Sequence, residues 1–169
     1  MLLRFKAAAL ISAAALAAGA AVTFAPNAFA ADNQTLCVYD LADHVQCAYL
    51  DVSTGFVDSA NVSSAPTAGD YKWNINTTSS GYHQISTADP DQTGCMWFSG
   101  GQIMIAGCDA ASYEEWKVVG TTTNGAVVLE NEAYADCLND HYQVKEVNAA
   151  TCNDGPDEVW GTYAQSDGG

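Results

Sequence analysis

The sequence predicts an all-β domain built from three repeats of roughly four short strands each, closing on itself with approximate threefold symmetry. Two periodicities and one pattern predict it. Trp73, Trp116 and Trp160 are spaced by 43 (73 to 116) and 44 (116 to 160) residues. Cys47, Cys95 and Cys137 follow a similar beat, 48 and 42 residues apart. Between them, short runs that alternate or are β-branched (QIMIA, WKVV, AVVLEN, YQVKEV) are separated by turn clusters (TSSG, DPDQTG, SGG, TTTNG, NDGP). Such runs read as strands, and no helical periodicity survives three turns beyond the first thirty residues. A repeat of this length cannot bury its apolar face alone, so it stacks on its neighbours.

Residues 1–30 form the first element. Arg4 and Lys6 make a basic start, Ala7 to Val22 is an unbroken small and apolar run, and Ala28-Phe29-Ala30 fits a small-x-small cleavage site. This predicts a signal peptide rather than a membrane anchor, because the run is alanine-rich and ends in a cleavage pattern. The rest, 31–169, has the length of one domain and is expected to be secreted, without membrane insertion.

The first repeat, about 37–78, carries CAYLDVSTGFVDSANVSSAPTAGDYKWNI. The second, about 79–121, carries CMWFSGGQIMIAGCDAASYEEWKVV, and the third, about 122–163, CLNDHYQVKEVNAATCNDGPDEVWGTY. Each opens on a cysteine, passes through an apolar pair (Phe56/Val57, Ile103/Ile105, Val144/Val147) and closes on a tryptophan. One large aromatic at an equivalent place in each repeat would build a shared core. The second and third repeats hold another cysteine 13 (95 to 108) and 15 (137 to 152) positions on; Cys47 is left with Cys37. The expected bridges are therefore Cys37–Cys47, Cys95–Cys108 and Cys137–Cys152. An exported chain with an even cysteine count permits them.

Composition excludes several functions. After the leader, only Lys72, Lys117 and Lys145 remain against all 20 acidic residues. Such a surface repels phosphate backbones and anionic lipid, so no nucleic-acid partner is expected. His44, His83 and His141 fit no metal spacing, and the acidic turns at Asp89 and Asp154 lack the alternating ligands of a calcium loop. No metal and no cofactor are expected. The cysteines are consumed by bridges and no Gly-x-Ser-x-Gly elbow exists, so the chain reads as non-enzymatic.

The closing triplets Tyr71-Lys72-Trp73, Glu114-Glu115-Trp116 and Glu158-Val159-Trp160, with Cys137-Leu138-Asn139 through Cys152, resemble the ricin B-type β-trefoil and its Gln-x-Trp motif. The resemblance spans Cys47 to about Tyr163. It implies a β-trefoil with one shallow sugar pocket per repeat. Each pocket would be built from a polar residue after Cys-Leu, another near the closing motif, and a stacking aromatic. Glutamate stands where the family carries glutamine; it still accepts backbone N–H groups but, ionised, does not donate. Position by position, the first repeat offers Tyr49 and Asp70, and the second Trp97 and Tyr113. The third offers Asn139, Asn148 and Asp157, with His141 or Tyr142 as the ring. The third is nearest to a full set, so the resemblance implies carbohydrate binding through Asn139, Tyr142, Asn148 and Asp157. Asn139 and Asn148 also suit bonds to their own turns. Trp97 departs from the repeat and is a candidate for a partner surface, with burial as the alternative. The competing function is a protein-binding β-trefoil, a secreted inhibitor or adaptor subunit with vestigial sugar sites. The partner is then a secreted or cell-surface protein rather than a glycan.

Overall fold

The structure, a computed structural model, describes residues 31–39, 45–61, 71–109, 111–122, 125–141, 146–153 and 155–163. The expected signal peptide 1–30, His44, Asp70 and Tyr142 lie outside them, as does the Val144 end of the expected YQVKEV strand.

The described residues form twelve strands, which fall into sets of four along the chain. The first set is β1 (Ala31–Tyr39), β2 (Val45–Asp51), β3 (Phe56–Asn61) and β4 (Trp73–Thr77). The second is β5 (His83–Thr87), β6 (Cys95–Phe98), β7 (Ile103–Ala106) and β8 (Trp116–Thr121). The third is β9 (Val127–Asn131), β10 (Asp136–His141), β11 (Glu146–Thr151) and β12 (Trp160–Tyr163).

Every pairing is antiparallel, and the pairings close. β1 pairs with β4, β4 with β5, β5 with β8, β8 with β9, β9 with β12, and β12 with β1 again. A ring of this kind leaves its member strands no free edge to template aggregation. The remaining strands form the hairpins β2–β3, β6–β7 and β10–β11. The hairpins touch one another through Phe56–Met104, Glu146–Asp58 and an isolated bridge between Gln102 and Asn148.

Alternation sorts the side chains. Leu36 and Val38, Ile75, Ile85, Met96 and Phe98, Ile103, Leu129, Leu138 and Val147 all face a common core. Trp73, Trp116 and Trp160 sit in it at 0 % exposure. A buried indole N–H needs an acceptor. Each of the three finds the backbone carbonyl that follows the cysteine opening its hairpin (Cys47, Cys95 or Cys137): Ala48 at 3.0 Å, Met96 at 3.5 Å and Leu138 at 2.8 Å. The spacing of tryptophan and cysteine in the sequence is the trace of this repeated bond.

The disulfides are Cys37–Cys47, Cys95–Cys108 and Cys137–Cys152, paired as the spacing predicts. In the chain-entropy model, loops of 10, 13 and 15 residues each contribute roughly 3 kcal/mol. Gly94 marks a close approach: a Cβ there would run into Ile105 and the Ala106 carbonyl across the β6–β7 side.

Two short 3-10 turns, Ser112–Glu114 and Pro156–Glu158, precede Trp116 and Trp160. The sequence reading had only irregular turn residues there. Both turns bury their glutamate, and both glutamates do the same thing. Glu114 Oε2 accepts the Asp109 N–H at 3.0 Å, and Glu158 Oε2 accepts the Asn153 N–H at 2.9 Å. Asp109 and Asn153 each follow the second cysteine of their set. Glu114 Oε2 also accepts from Gln84 Nε2 at 3.2 Å. These carboxylates tie the disulfide loop to the residue that leads into the core tryptophan.

Candidate functional site

The third hairpin gathers the polar residues singled out in the sequence. Asn139 lies directly opposite Asn148 across β10–β11, and His141 opposite Glu146. Directly opposed residues and those two apart share a face of the ladder. Asn139, His141, Glu146 and Asn148 therefore point one way, while Leu138 and Val147 point into the core. Asn139 is only 7 % exposed, and its Nδ2 donates to Asp157 Oδ2 at 2.9 Å. Asp157 is presented by the 3-10 turn Pro156–Glu158, whose approach is shaped by the Gly155 N–H donating to Asn153 Oδ1 at 2.6 Å. A side chain at Gly155 would collide with both Asp157 Oδ1 and Asn153 Oδ1, so glycine lets these oxygens converge. Asn148 Nδ2 stands 3.5 Å from His141 Nδ1, and Asn148 Oδ1 is buried with no hydrogen bond among the described residues. Of the four expected sugar residues, the structure unites Asn139, Asn148 and Asp157; Tyr142 lies outside the described residues.

The corresponding places in the other sets are filled differently. Tyr49, Trp97 and Asn139 each stand two residues after the cysteine of their hairpin's first strand, Cys47, Cys95 or Cys137. The Tyr49 ring lies 5.5 Å from that of Tyr71, and its hydroxyl donates to Asp58 Oδ2 at 3.4 Å. The Trp97 ring meets Tyr113 edge-on at 5.3 Å. Trp97 is partly buried, and its Nε1 is buried with no hydrogen bond among the described residues. The Trp97–Tyr113 pair thus occupies the positions where the third set has Asn139 and Asp157; in the first set Tyr49 packs on Tyr71, the counterpart of Glu158, and the Asp157 counterpart, Asp70, lies outside the described residues.

Charge concentrates beside the first and third hairpins. Burial, then the Asp51 carboxylate and in part Glu146, raise Asp58 above the ordinary carboxylate range, while the Tyr49 hydroxyl bond opposes the rise. Burial, then the Asp58 and Asp51 carboxylates, raise Tyr49. One surface feature escaped the sequence reading. Tyr134 is 54 % exposed and stands edge-on to Phe98 at 4.9 Å. It has no counterpart in the repeat pattern, so no periodicity pointed to it. Among the described residues no cluster of histidine, cysteine or carboxylate groups is arranged to hold a metal, and no helix is long and apolar enough to cross a membrane.

No protein-family model matches the sequence, and no curated protein matches it at significant similarity. Solved structures do resemble it in fold. The GlcNAcα1-4Gal releasing endo-β-galactosidase from Clostridium perfringens superposes with a TM-score of 0.65 at 11 % identity, over 78 % of this chain and 32 % of that one. This chain therefore matches less than half of that enzyme's length. SeviL bound to asialo-GM1 saccharide gives 0.60 at 12 % identity, over 80 % of this chain and 99 % of its own. The designed 3-fold symmetric protein ThreeFoil gives 0.61 at 12 % identity, over 78 % and 97 %. At these identities the likeness is one of fold: an all-β chain of twelve strands, tied by three disulfides, resembling a 3-fold symmetric design and a saccharide-bound protein.

Proposed function

We propose that this chain is a secreted, non-enzymatic β-trefoil of the ricin B-like kind, released by cleavage of residues 1–30. Its three repeats are about 37–78, 79–121 and 122–163. It binds carbohydrate weakly, through the third repeat alone. The observation that carries the reading is the Asn139–Asp157 pair, with Asn148 opposite, at a position where the second repeat places the Trp97–Tyr113 aromatic pair. An amide beside a carboxylate offers both a donor and acceptors to vicinal hydroxyls, which is the chemistry a shallow sugar pocket needs. The fold likeness to SeviL, solved with a saccharide, supports it. A single pocket predicts one-to-one binding and no cross-linking of cells.

The test is a glycan array probed with the mature chain, followed by retention of the best glycan on a column. Asn139→Ala with Asp157→Ala is expected to abolish retention, and Trp97→Ala to leave it unchanged. Equal retention by the double variant removes the third repeat from the reading.

The second reading, a protein-binding β-trefoil with vestigial sugar sites, is favoured by the aromatic pairs and by exposed Tyr134 on Phe98. Aromatic side chains are enriched at protein interfaces. A silent array, with specific capture of one protein from the producer's culture fluid that Trp97→Ala or Tyr134→Ala weakens, selects this reading instead.

A further inference from the structure

Four titratable side chains lie in one row across four strands. His141 on β10 is directly opposite Glu146 on β11, Glu146 is opposite Asp58 on β3, and Asp58 is opposite Tyr49 on β2. Direct opposition puts neighbours in the row on the same face, within reach of each other. The row links the third hairpin to the first. It places two carboxylates face to face, an arrangement that like charges destabilise. At its end, His141 touches the candidate sugar site through the 3.5 Å approach of its Nδ1 to Asn148 Nδ2.

We propose that His141 is a positioning residue of the third-repeat site: neutral, it holds the Asn148 amide, and protonated, it leaves Asn148 for the Glu146 carboxylate. The proposal rests on the carbohydrate-binding reading of that site.

With the Asn148 amide oriented as it stands, Nδ2 toward Nδ1, the contact holds only while Nδ1 is unprotonated. An amide N–H needs a lone pair on Nδ1, which exists when the proton of the neutral ring sits on Nε2. Adding a proton to Nδ1 turns acceptor into donor, and two donors then face each other. The imidazolium finds an anion directly across the ladder in Glu146. Asn148 has no competing hold, because its Oδ1 is buried without a hydrogen bond among the described residues. Releasing Nδ2 therefore frees the amide to rotate, and the pocket loses a fixed wall. The other charged groups act in the same sense. Asp58 faces Glu146 and is flanked by Asp51, so positive charge at His141 relieves the carboxylate pair. Tyr49 ends the row as a hydroxyl donor to Asp58. Asp140 alternates to the opposite face of β10 and is buried there, and Lys145 lies outside the described residues.

The experiment follows the side-chain amide of Asn148 and the ring of His141 by NMR on the isotope-labelled mature chain, between about pH 8 and 5, the range in which histidine changes charge. The Asn148 resonance is expected to move with the same midpoint as the His141 ring. His141→Gln, whose amide oxygen accepts from Asn148 at any pH, removes the movement. In parallel, retention of the best array glycan is expected to drop roughly tenfold on acidification in the wild type, the order of one lost hydrogen bond. It stays pH-independent in His141→Gln and is weak at both ends of the range in His141→Ala. An Asn148 amide indifferent to His141 titration overturns the proposal, as does glycan retention with the same pH profile in His141→Gln. A moving amide without any glycan on the array leaves the positioning role standing and rejects the sugar reading beneath it.

Discussion

Glu114 and Glu158 occupy the place where the resembled family carries glutamine, and the structure explains why the exchange is tolerated. Each is buried at the end of a 3-10 turn and uses one carboxylate oxygen to accept the N–H that follows a disulfide cysteine. Acceptance is all that contact requires, and glutamine supplies the same oxygen. Glu158→Gln is therefore expected to shift the urea midpoint of unfolding little, by less than ~1 kcal/mol in stability. Glu158→Ala removes the carboxylate acceptor of the Asn153 N–H and is expected to cost about 1.5–3 kcal/mol, the range for a hydrogen bond to a charged group. Equal losses in the two variants would mean that the acceptor role is not what the residue contributes. In the first repeat Tyr71 stands at this position and is buried against Tyr49 instead. Neighbouring Glu115 is held differently, accepting from Ser80 Oγ at 2.9 Å.

Each hairpin carries one disulfide and is tied to a ring tryptophan by one indole bond, and these two fasteners act on different states of the chain. The indole N–H to the carbonyl of Ala48, Met96 or Leu138 stabilises the folded core, whereas the bridge chiefly restricts the unfolded chain. Replacing Cys95 and Cys108 together by serine is expected to lower stability by roughly 3 kcal/mol, read from denaturant unfolding, with the strand content of the folded state retained. Loss of the folded β signal at low denaturant would show that this bridge shapes the native state itself. These fasteners were legible beforehand because they recur: cysteine and tryptophan spacing is visible in one line of sequence. The 3-10 turns were not, since three residues carry no periodicity and Pro156-Asp157 reads as an ordinary turn. The Asn139–Asp157 contact joins positions 18 residues apart, and only the family resemblance brought them together. The Tyr49–Tyr71 and Trp97–Tyr113 pairs, the exposed Tyr134, and the row from His141 to Tyr49 arise from tertiary packing that strand alternation alone does not reveal.

At the scale of the whole molecule, 20 acidic residues oppose 5 basic ones, two of which lie within residues 1–30. Acidification therefore relieves self-repulsion, yet one buried group works against it. Burial holds His83 below the ordinary histidine range. The unfolded chain takes up this proton near pH ~6.5 while the folded chain resists it. Over that window the unfolded state binds more protons, so the His83 contribution falls as pH drops. Asp58 and Glu132 have the opposite sign. Burial, with Asp51 and Glu146, raises Asp58; desolvation, with the neighbouring Glu115, raises Glu132. Their folded forms bind protons above the unfolded carboxylate range of about 4, so their contribution grows as pH drops towards it. The two effects partly cancel in the native protein. Denaturant unfolding at about pH 7, 6 and 5 is expected to separate them. Relative to the wild type, His83→Gln gains stability on acidification, because the opposing group is gone. The double variant Asp58→Asn, Glu132→Gln loses stability over the same interval, because only His83 remains to respond. Salt narrows the second difference more than the first, since like-charge repulsion is screened and burial of an imidazole is not. Parallel stability curves for all three proteins would show that these groups do not set the acid response, and would assign it to the diffuse negative surface instead.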